Sequence, residues 1–140
     1  MSERPCPFCE RSPSTPALAE NPHALAFYDG FPVSPGHVLV VPRRHEADFF
    51  RLEPEERQAV FDLVDAVRDL LLSERTPDGF NIGVNVGAAA GQTVGHAHVH
   101  VIPRYVGDLP DPRGGVRWVI PAKADYWTDR AASTQELSSD

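Results

Sequence analysis

Three of the six histidines stand at alternate positions, His96, His98 and His100, with Ala97 and Val99 between them and Val101 and Ile102 after. Side chains alternate faces along an extended strand. The spacing therefore predicts a row of imidazoles on one face, roughly 6.5–7 Å apart, while Ala97, Val99 and Val101 turn toward a core. One or two histidines on a strand are ordinary structural residues; three on one face ask for a chemical use. Imidazole offers two such uses. It ligates zinc and copper. As a free base of pKa about 6.5 it can also attack an electrophile while its neighbours orient it or move protons. The local pattern leaves both open. Just upstream, Gly91-Gln92-Thr93-Val94-Gly95 reads as a glycine-bounded loop able to turn backbone N–H groups toward an anion. The only two cysteines form Cys6-Pro7-Phe8-Cys9, a spacing that suits metal binding or redox chemistry more than a structural disulfide.

These residues need elements to hold them. Leu25 to Asp29 reads as a short strand ended by Gly30 and Pro32, with Asp29 either a turn residue or an acceptor for paired sugar hydroxyls. Ser34-Pro35-Gly36 turns into His37-Val38-Leu39-Val40-Val41, apolar on both faces and hence a central strand, stopped by Pro42. Arg43-Arg44-His45-Glu46 is a charged connector with solvated arginines. A helix runs from about Pro54 to Ser73, with Glu55 and Glu56 suited to its N-terminal dipole. Val60, Phe61, Val64, Val67, Leu70 and Leu71 form its apolar stripe, and the charged residues between them its wet face. After a turn at Thr76-Pro77-Asp78-Gly79, the strand Phe80 to Gly87 puts Asn81, Gly83, Asn85 and Gly87 on one face, where glycines mark a bulge or close approach by a ligand. Pro103 closes the histidine strand. Tyr105 to Gly115 is a loop, Arg117 to Ile120 a last short strand, and the chain from Ala122 a tail that Tyr126 and Trp127 could anchor.

At 140 residues with 41% apolar and 24% charged residues, the composition is that of one globular domain. A net charge of −7 argues against a nucleic-acid polymer as partner, because that binding depends on cations neutralising phosphates. A single nucleotide in a pocket is unaffected by that argument. No apolar run is long enough for a membrane span, and Met1-Ser2-Glu3-Arg4-Pro5 lacks a secretory apolar segment, so a cytoplasmic location is expected. The cysteine pair is glutaredoxin-like in its residues, yet a redox motif follows a strand and heads a helix. Here Arg11-Ser12-Pro13-Ser14-Thr15-Pro16 is poor helix material, which favours metal binding. Two thiolates need two further ligands for tetrahedral zinc.

With these pieces assembled, the chain resembles the histidine triad (HIT) family of nucleotide hydrolases and transferases. The resemblance is carried by His96-Ala97-His98-Val99-His100-Val101-Ile102, with support from Ala26-Phe27-Tyr28-Asp29, Pro32 to Val40, Asn85-Val86-Gly87 and Gly91 to Val94. It implies an α+β, HIT-like fold: a mainly antiparallel sheet of about five strands, one long helix packed on it and a short second helix. The HIT domain would span 1–121, with 1–24 its Cys-x-x-Cys segment and 122–140 a tail. The implied enzyme is a nucleotidyl hydrolase or transferase acting on the α-phosphate of dinucleoside polyphosphates or nucleoside phosphoramidates. By the resemblance His98 is the nucleophile, His100 contacts phosphate and handles protons, and Asn85, Gln92 and Thr93 orient phosphate oxygens and water. Asp29 would bind ribose, Phe27 the base, and His37 would stand behind the site. Some members hold structural zinc through residues matching Cys6, Cys9, His45 and His96. His100, in place of the glutamine of the galactose-1-phosphate uridylyltransferase branch, fits the hydrolase-like branches. Members commonly form homodimers. The competing readings are a nucleotide-sensing module with little turnover and a metalloenzyme using all three histidines as ligands.

Overall fold

The computed structural model describes residues 5–11 and 16–132. Ser133 to Asp140 of the expected tail, and residues 12–15 of the proline-rich stretch, lie outside the described residues. By its contacts the chain divides into Met1–Tyr105 and Val106–Asp140.

The first unit is an antiparallel sheet with one long helix. Its strands are β1 (Ala19–Glu20), β2 (Ala24–Tyr28), β3 (Val38–Pro42), β4 (Gly79–Val84) and β5 (Val99–Arg104), and its helix is α1 (Pro54–Arg75). The five strands run in the order β1-β2-β3-β5-β4, every pair antiparallel. Strand periodicity separates two faces. Ala24, Ala26, Val38, Val40, Val99 and Val101 point to α1 and join Val60, Leu63, Val64, Val67 and Leu71 in the core. Leu25, Phe27, Leu39 and His100 therefore look the other way. The α+β architecture expected from the sequence is the one observed.

Two local readings, of Phe61 and Pro103, need correction, and Glu56 does more than suit the N-terminal dipole of α1. Glu56 is 8% exposed. It accepts from the backbone N–H of Glu53 at 2.7 Å and from Arg44 Nη2 at 3.0 Å, so it caps the helix and fastens the β3–α1 connector to it. Arg44 is accordingly an ion-pair partner while its side chain stays exposed as expected, and Arg43, likewise exposed, meets Glu20 at 2.7 Å. Phe61, placed in the apolar stripe, is 44% exposed, while Ala59 and Leu63 are buried in its stead. Pro103 does not end β5. In a strand a residue's N–H and C=O point to the same side, and the Pro103 carbonyl accepts from Ser34 Oγ at 2.7 Å on the β3 side. The β3–β5 ladder stops at Val38–Val101, so the missing N–H of Pro103 deprives no partner.

The turn before β3 meets the end of α1 at Gly36. Its φ is +90°, and a Cβ there would lie 2.6 Å from Arg75 Cδ and 3.2 Å from Leu71 Cδ2. Gly36→Ala is expected to lower stability by about 1–3 kcal/mol, read as a shift in urea midpoint at unchanged m-value. An unchanged midpoint would show that the turn tolerates an L-residue.

In the second unit, residues 117–120 are not a strand: Gly115–Val119 is a 3-10 helix, followed by α2 (Pro121–Ala124) and α3 (Trp127–Ala132). Arg117 donates from Nε to the Ala124 carbonyl at 2.9 Å and stacks over Tyr126, while Arg113 stacks over Trp127. Tyr126 and Trp127 thus anchor this segment, through cation–π contacts. No helix among the described residues is long and apolar enough to cross a membrane.

Candidate functional site

The histidine stretch is only partly a strand. β5 begins at Val99, and His96 to His98 are held by the β3–α1 connector instead, through a hydrogen bond from the Ala97 N–H to the Glu46 carbonyl at 2.7 Å. Gln92 braces the preceding loop. Its Oε1 accepts from Gly87 N at 2.9 Å, and its Nε2 donates to the carbonyls of Ala47 and Val94 at 2.9 and 3.0 Å. Gly87 and Gly91 bend that loop at φ of 93° and 92°. The Gln92 amide is thus committed to backbone rather than turned toward an incoming group.

The alternation predicted from sequence survives this irregularity. Ala97 and Val99 are buried, and the rings of His98 and His100 stand 5.1 Å apart between centroids. The hydrogen-bond network assigns a role to each ring nitrogen. His98 Nδ1 lies 2.9 Å from the His96 carbonyl. A carbonyl only accepts, so Nδ1 carries the proton and Nε2 keeps a lone pair. His37 Nδ1 accepts from the Val33 N–H at 3.1 Å, which puts the His37 proton on Nε2. From there it is donated to His100 Nδ1 at 2.9 Å, with Asp29 Oδ2 at 3.4 Å. His100 in turn must hold its proton on Nε2. The His96 carbonyl therefore leaves His98 with an electron pair to give, and the relay from Val33 through His37 leaves His100 with a hydrogen to give.

Of the two readings of Asp29 the turn residue is the one observed, since Oδ1 accepts from the Phe31 N–H at 2.8 Å, and Oδ2 stands 3.4 Å from His37 Nε2. Across the sheet Phe27 lies opposite Leu39, and Leu39 and Gly83 each lie opposite His100. Gly83 thus gives open ground beside that ring, since a Cβ there would meet nothing within 4 Å. Asn85 lies just past β4, half-buried, and Thr93 is exposed on the loop. Among the described residues no hydrogen bond ties either to His98 or His100.

Burial sets the protonation of these rings. It pushes His100 down to about 4, helped by repulsion from His98 and His37 and opposed by Asp29, and it lowers His37 in the same way. Both are neutral near pH 7. The unfolded chain, with ordinary imidazoles near 6.5, takes up protons first on acidification. The contribution of these two rings is therefore present above about pH 6.5 and lost as pH falls toward 4. For His100 alone the loss between pH 6.5 and 5 is about 1–2 kcal/mol after allowance for its partial exposure. Urea midpoints should fall over that interval, and His100→Asn should flatten the slope; an unaltered slope would contradict the assignment.

Cys6, Cys9, His45 and His96 converge beside this array, their ligand atoms all within 4.8 Å of one another. Sγ to Nδ1 distances are 3.5 Å for Cys6–His96, 3.4 Å for Cys9–His45 and 3.6 Å for Cys9–His96, and His45 Nδ1 lies 3.2 Å from His96 Nδ1. Tetrahedral zinc, with bonds of about 2.3 Å to sulfur and about 2.0 Å to nitrogen, has S···N edges of about 3.5 Å and N···N edges of about 3.3 Å. The donor set fits that ion. His96 Nε2 donates to the Pro42 carbonyl at 2.8 Å, which frees Nδ1 as a ligand and orients the ring. The three triad histidines, by contrast, turn to three different partners and gather around no common point.

Two residues of the site escaped the sequence reading. Phe8, a spacer between the cysteines, packs its ring 5.1 Å from His98 and 5.6 Å from both His96 and Phe27. Arg11 stacks over Phe27, 4.3 Å from its centroid. Neither lies in a periodic element, and only the fold of the N-terminal segment onto the sheet brings them in.

The fold and site together define an α+β protein with a hydrogen-bonded histidine array on the open face of its sheet, next to a closed Cys2His2 cluster. A HIT domain model matches residues 11–107, and the chain belongs to the HIT family of nucleotide hydrolases and transferases. It is 42% identical over 103 residues to a HIT-like protein of Mycoplasma genitalium, covering 71% of this chain and 73% of that one. It is 40% identical over 88 residues to the asymmetrical bis(5′-nucleosyl)-tetraphosphatase of Schizosaccharomyces pombe, covering 63% of this chain but only 48% of the yeast protein. A crystal structure of a zinc-bound histidine triad family protein from Mycobacterium smegmatis superposes with a TM-score of 0.67 at 33% identity, over 90% of this chain and 96% of that one.

Proposed function

We propose that the protein hydrolyses dinucleoside polyphosphates or nucleoside phosphoramidates through a nucleotide covalently held on His98. The observation that carries this reading is the Nδ1–H of His98 donated to the His96 carbonyl, which fixes the ring and leaves Nε2 as a nucleophile that needs no base to activate it. Nε2 attacks the α-phosphorus. The P–N bond forms as the bond to the leaving group breaks, and the departing group takes the electron pair, a polyphosphate leaving as its anion and the amine of a phosphoramidate taking up a proton from solvent as it leaves. His100, neutral with its hydrogen on Nε2, donates to a phosphoryl oxygen as charge builds there. Water then attacks the phosphorus, the P–N bond breaks with its electron pair returning to Nε2, and one proton of the water is released to solvent.

Gln92 acts in this scheme by holding the loop, while Asn85 and Thr93 line the approach of the phosphate. Asp29 accepts from ribose hydroxyls. Zinc on Cys6, Cys9, His45 and His96 would be structural, a closed four-ligand site with no position for water. The named activity of the yeast relative supports the polyphosphate as a substrate class. Mass spectrometry of enzyme quenched during turnover tests the reading: a nucleotide mass localised to His98 is expected. Steady turnover with no adduct on trapping would refute it, and binding without product would make the protein a sensing module.

A further inference from the structure

We infer that Gly83 sets the size of leaving group that the protein accepts: its bare backbone beside His100 is the notch in the sheet rim over which the leaving half of the substrate passes. This rests on the nucleotide reading of the His98 site but concerns the group that departs, not the one that is held. Glycine weakens a strand interior, so its presence inside β4 asks for a reason. Neither of the usual ones applies. Gly83 does not adopt a positive φ, as Gly87 and Gly91 do. Among the described residues a Cβ at 83 would meet nothing within 4 Å, so no close packing excludes a side chain. What the glycine supplies is open space.

The register places that space. Gly83 is the cross-strand partner of His100. Opposite residues of an antiparallel pair carry side chains on the same face, with Cβ atoms about 5 Å apart. A side chain at 83 would therefore rise directly beside the His100 ring. Two residues back on that face stands Asn81, whose Oδ1 accepts from Arg104 Nη1 at 2.7 Å, and Asn85 follows just past the strand. Gly83 is the exposed gap between these amides. β4 ends the order β1-β2-β3-β5-β4, so among the described strands a group crossing at 83 leaves the sheet. The direction of departure follows from the side the nucleoside takes. Asp29, proposed for the ribose, follows β2, and its Oδ2 stands 3.4 Å from His37, on the β2–β3 side of His100. With the sugar on that side, the chain beyond the phosphorus diverges toward β4. A simple phosphoramidate sheds only ammonia, which needs no such room. A dinucleoside tetraphosphate sheds a nucleoside triphosphate, whose chain must lie in the notch.

The test uses the full chain, with kcat/KM measured on diadenosine tetraphosphate and on adenosine 5′-phosphoramidate. Calorimetry gives Kd for AMP and for the uncleavable α,β-methylene analogue of the tetraphosphate. Gly83→Val should cut kcat/KM on the tetraphosphate by about 100-fold and weaken the analogue by a similar factor, while the phosphoramidate and AMP change by less than about threefold. Gly83→Ala should fall between. The urea midpoint should hold or rise, since valine favours a strand. Equal losses on both substrates, no loss on either, a lower midpoint for both variants, or a wild type that fails to bind the analogue would overturn the inference. Selective loss of analogue binding by Gly83→Val in a protein that turns nothing over would uphold the notch while defeating the nucleophile. A nucleotide adduct on His98, with the tetraphosphate unaffected by Gly83→Val, would do the reverse.

Discussion

His98→Ala is expected to lower turnover of dinucleoside polyphosphates and phosphoramidates by about 10⁴-fold or more, with nucleotide binding retained. The magnitude follows from the role: a covalent nucleophile leaves only binding and electrostatic catalysis behind when removed. Binding persists because the base, ribose and phosphate contacts proposed for Phe27, Asp29 and His100 do not pass through the nucleophile. His100→Ala belongs beside it, with an expected loss of about 10²–10⁴-fold, the range for a positioned proton donor. The order matters as much as the size. His100 is held neutral by burial and by the His37 relay, so its loss removes a donor but leaves an attacking group. Turnover of His98→Ala within tenfold of the wild type, or a larger loss from His100→Ala than from His98→Ala, would reverse the assignment of the two rings.

Removal of zinc should cost stability first and activity second. The four donors come from three remote places: Cys6 and Cys9 at the N-terminus, His45 after β3 and His96 before β5. An ion there fastens the N-terminal segment to the sheet. At free zinc about a thousandfold above its Kd, binding contributes about 4 kcal/mol. For a unit of this size that is a fall in Tm of roughly 10–20 °C on chelation. Cys9→Ser should reproduce most of it. Activity should fall partially and in step with disorder of Phe8, whose ring sits between the cysteines and packs on His98. Complete and immediate loss of turnover at an unchanged Tm would instead mark a catalytic metal. A zinc-to-protein ratio near zero in protein purified without chelators would reject the site.

The row of histidines, the main strands around it and the helix packed on the sheet were readable from the sequence, for a common reason. Alternation and helical periodicity are local, so Ala97, Val99 and Val101 announce a core face and His96, His98 and His100 the opposite one without reference to the rest of the chain. The turn at Ser34-Pro35-Gly36, the stripe of Val60, Val64, Val67 and Leu71 and the metal-ligand chemistry of Cys6 and Cys9 are equally local. What those residues face is not. The direction of each imidazole depends on the carbonyls of His96 and Pro42 and the N–H of Val33, atoms every residue possesses and no sequence pattern marks. The burial of Glu56 depends on Arg44 arriving from another element, the tolerance of Pro103 depends on where β3 happens to stop, and the places of Phe8 and Arg11 depend on a segment without periodicity folding back on the sheet. Residue type and spacing determined which groups this protein can bring to a reaction. Only the tertiary structure decided which nitrogen of each ring holds the hydrogen and which the lone pair, because that choice is made by partners distant along the chain.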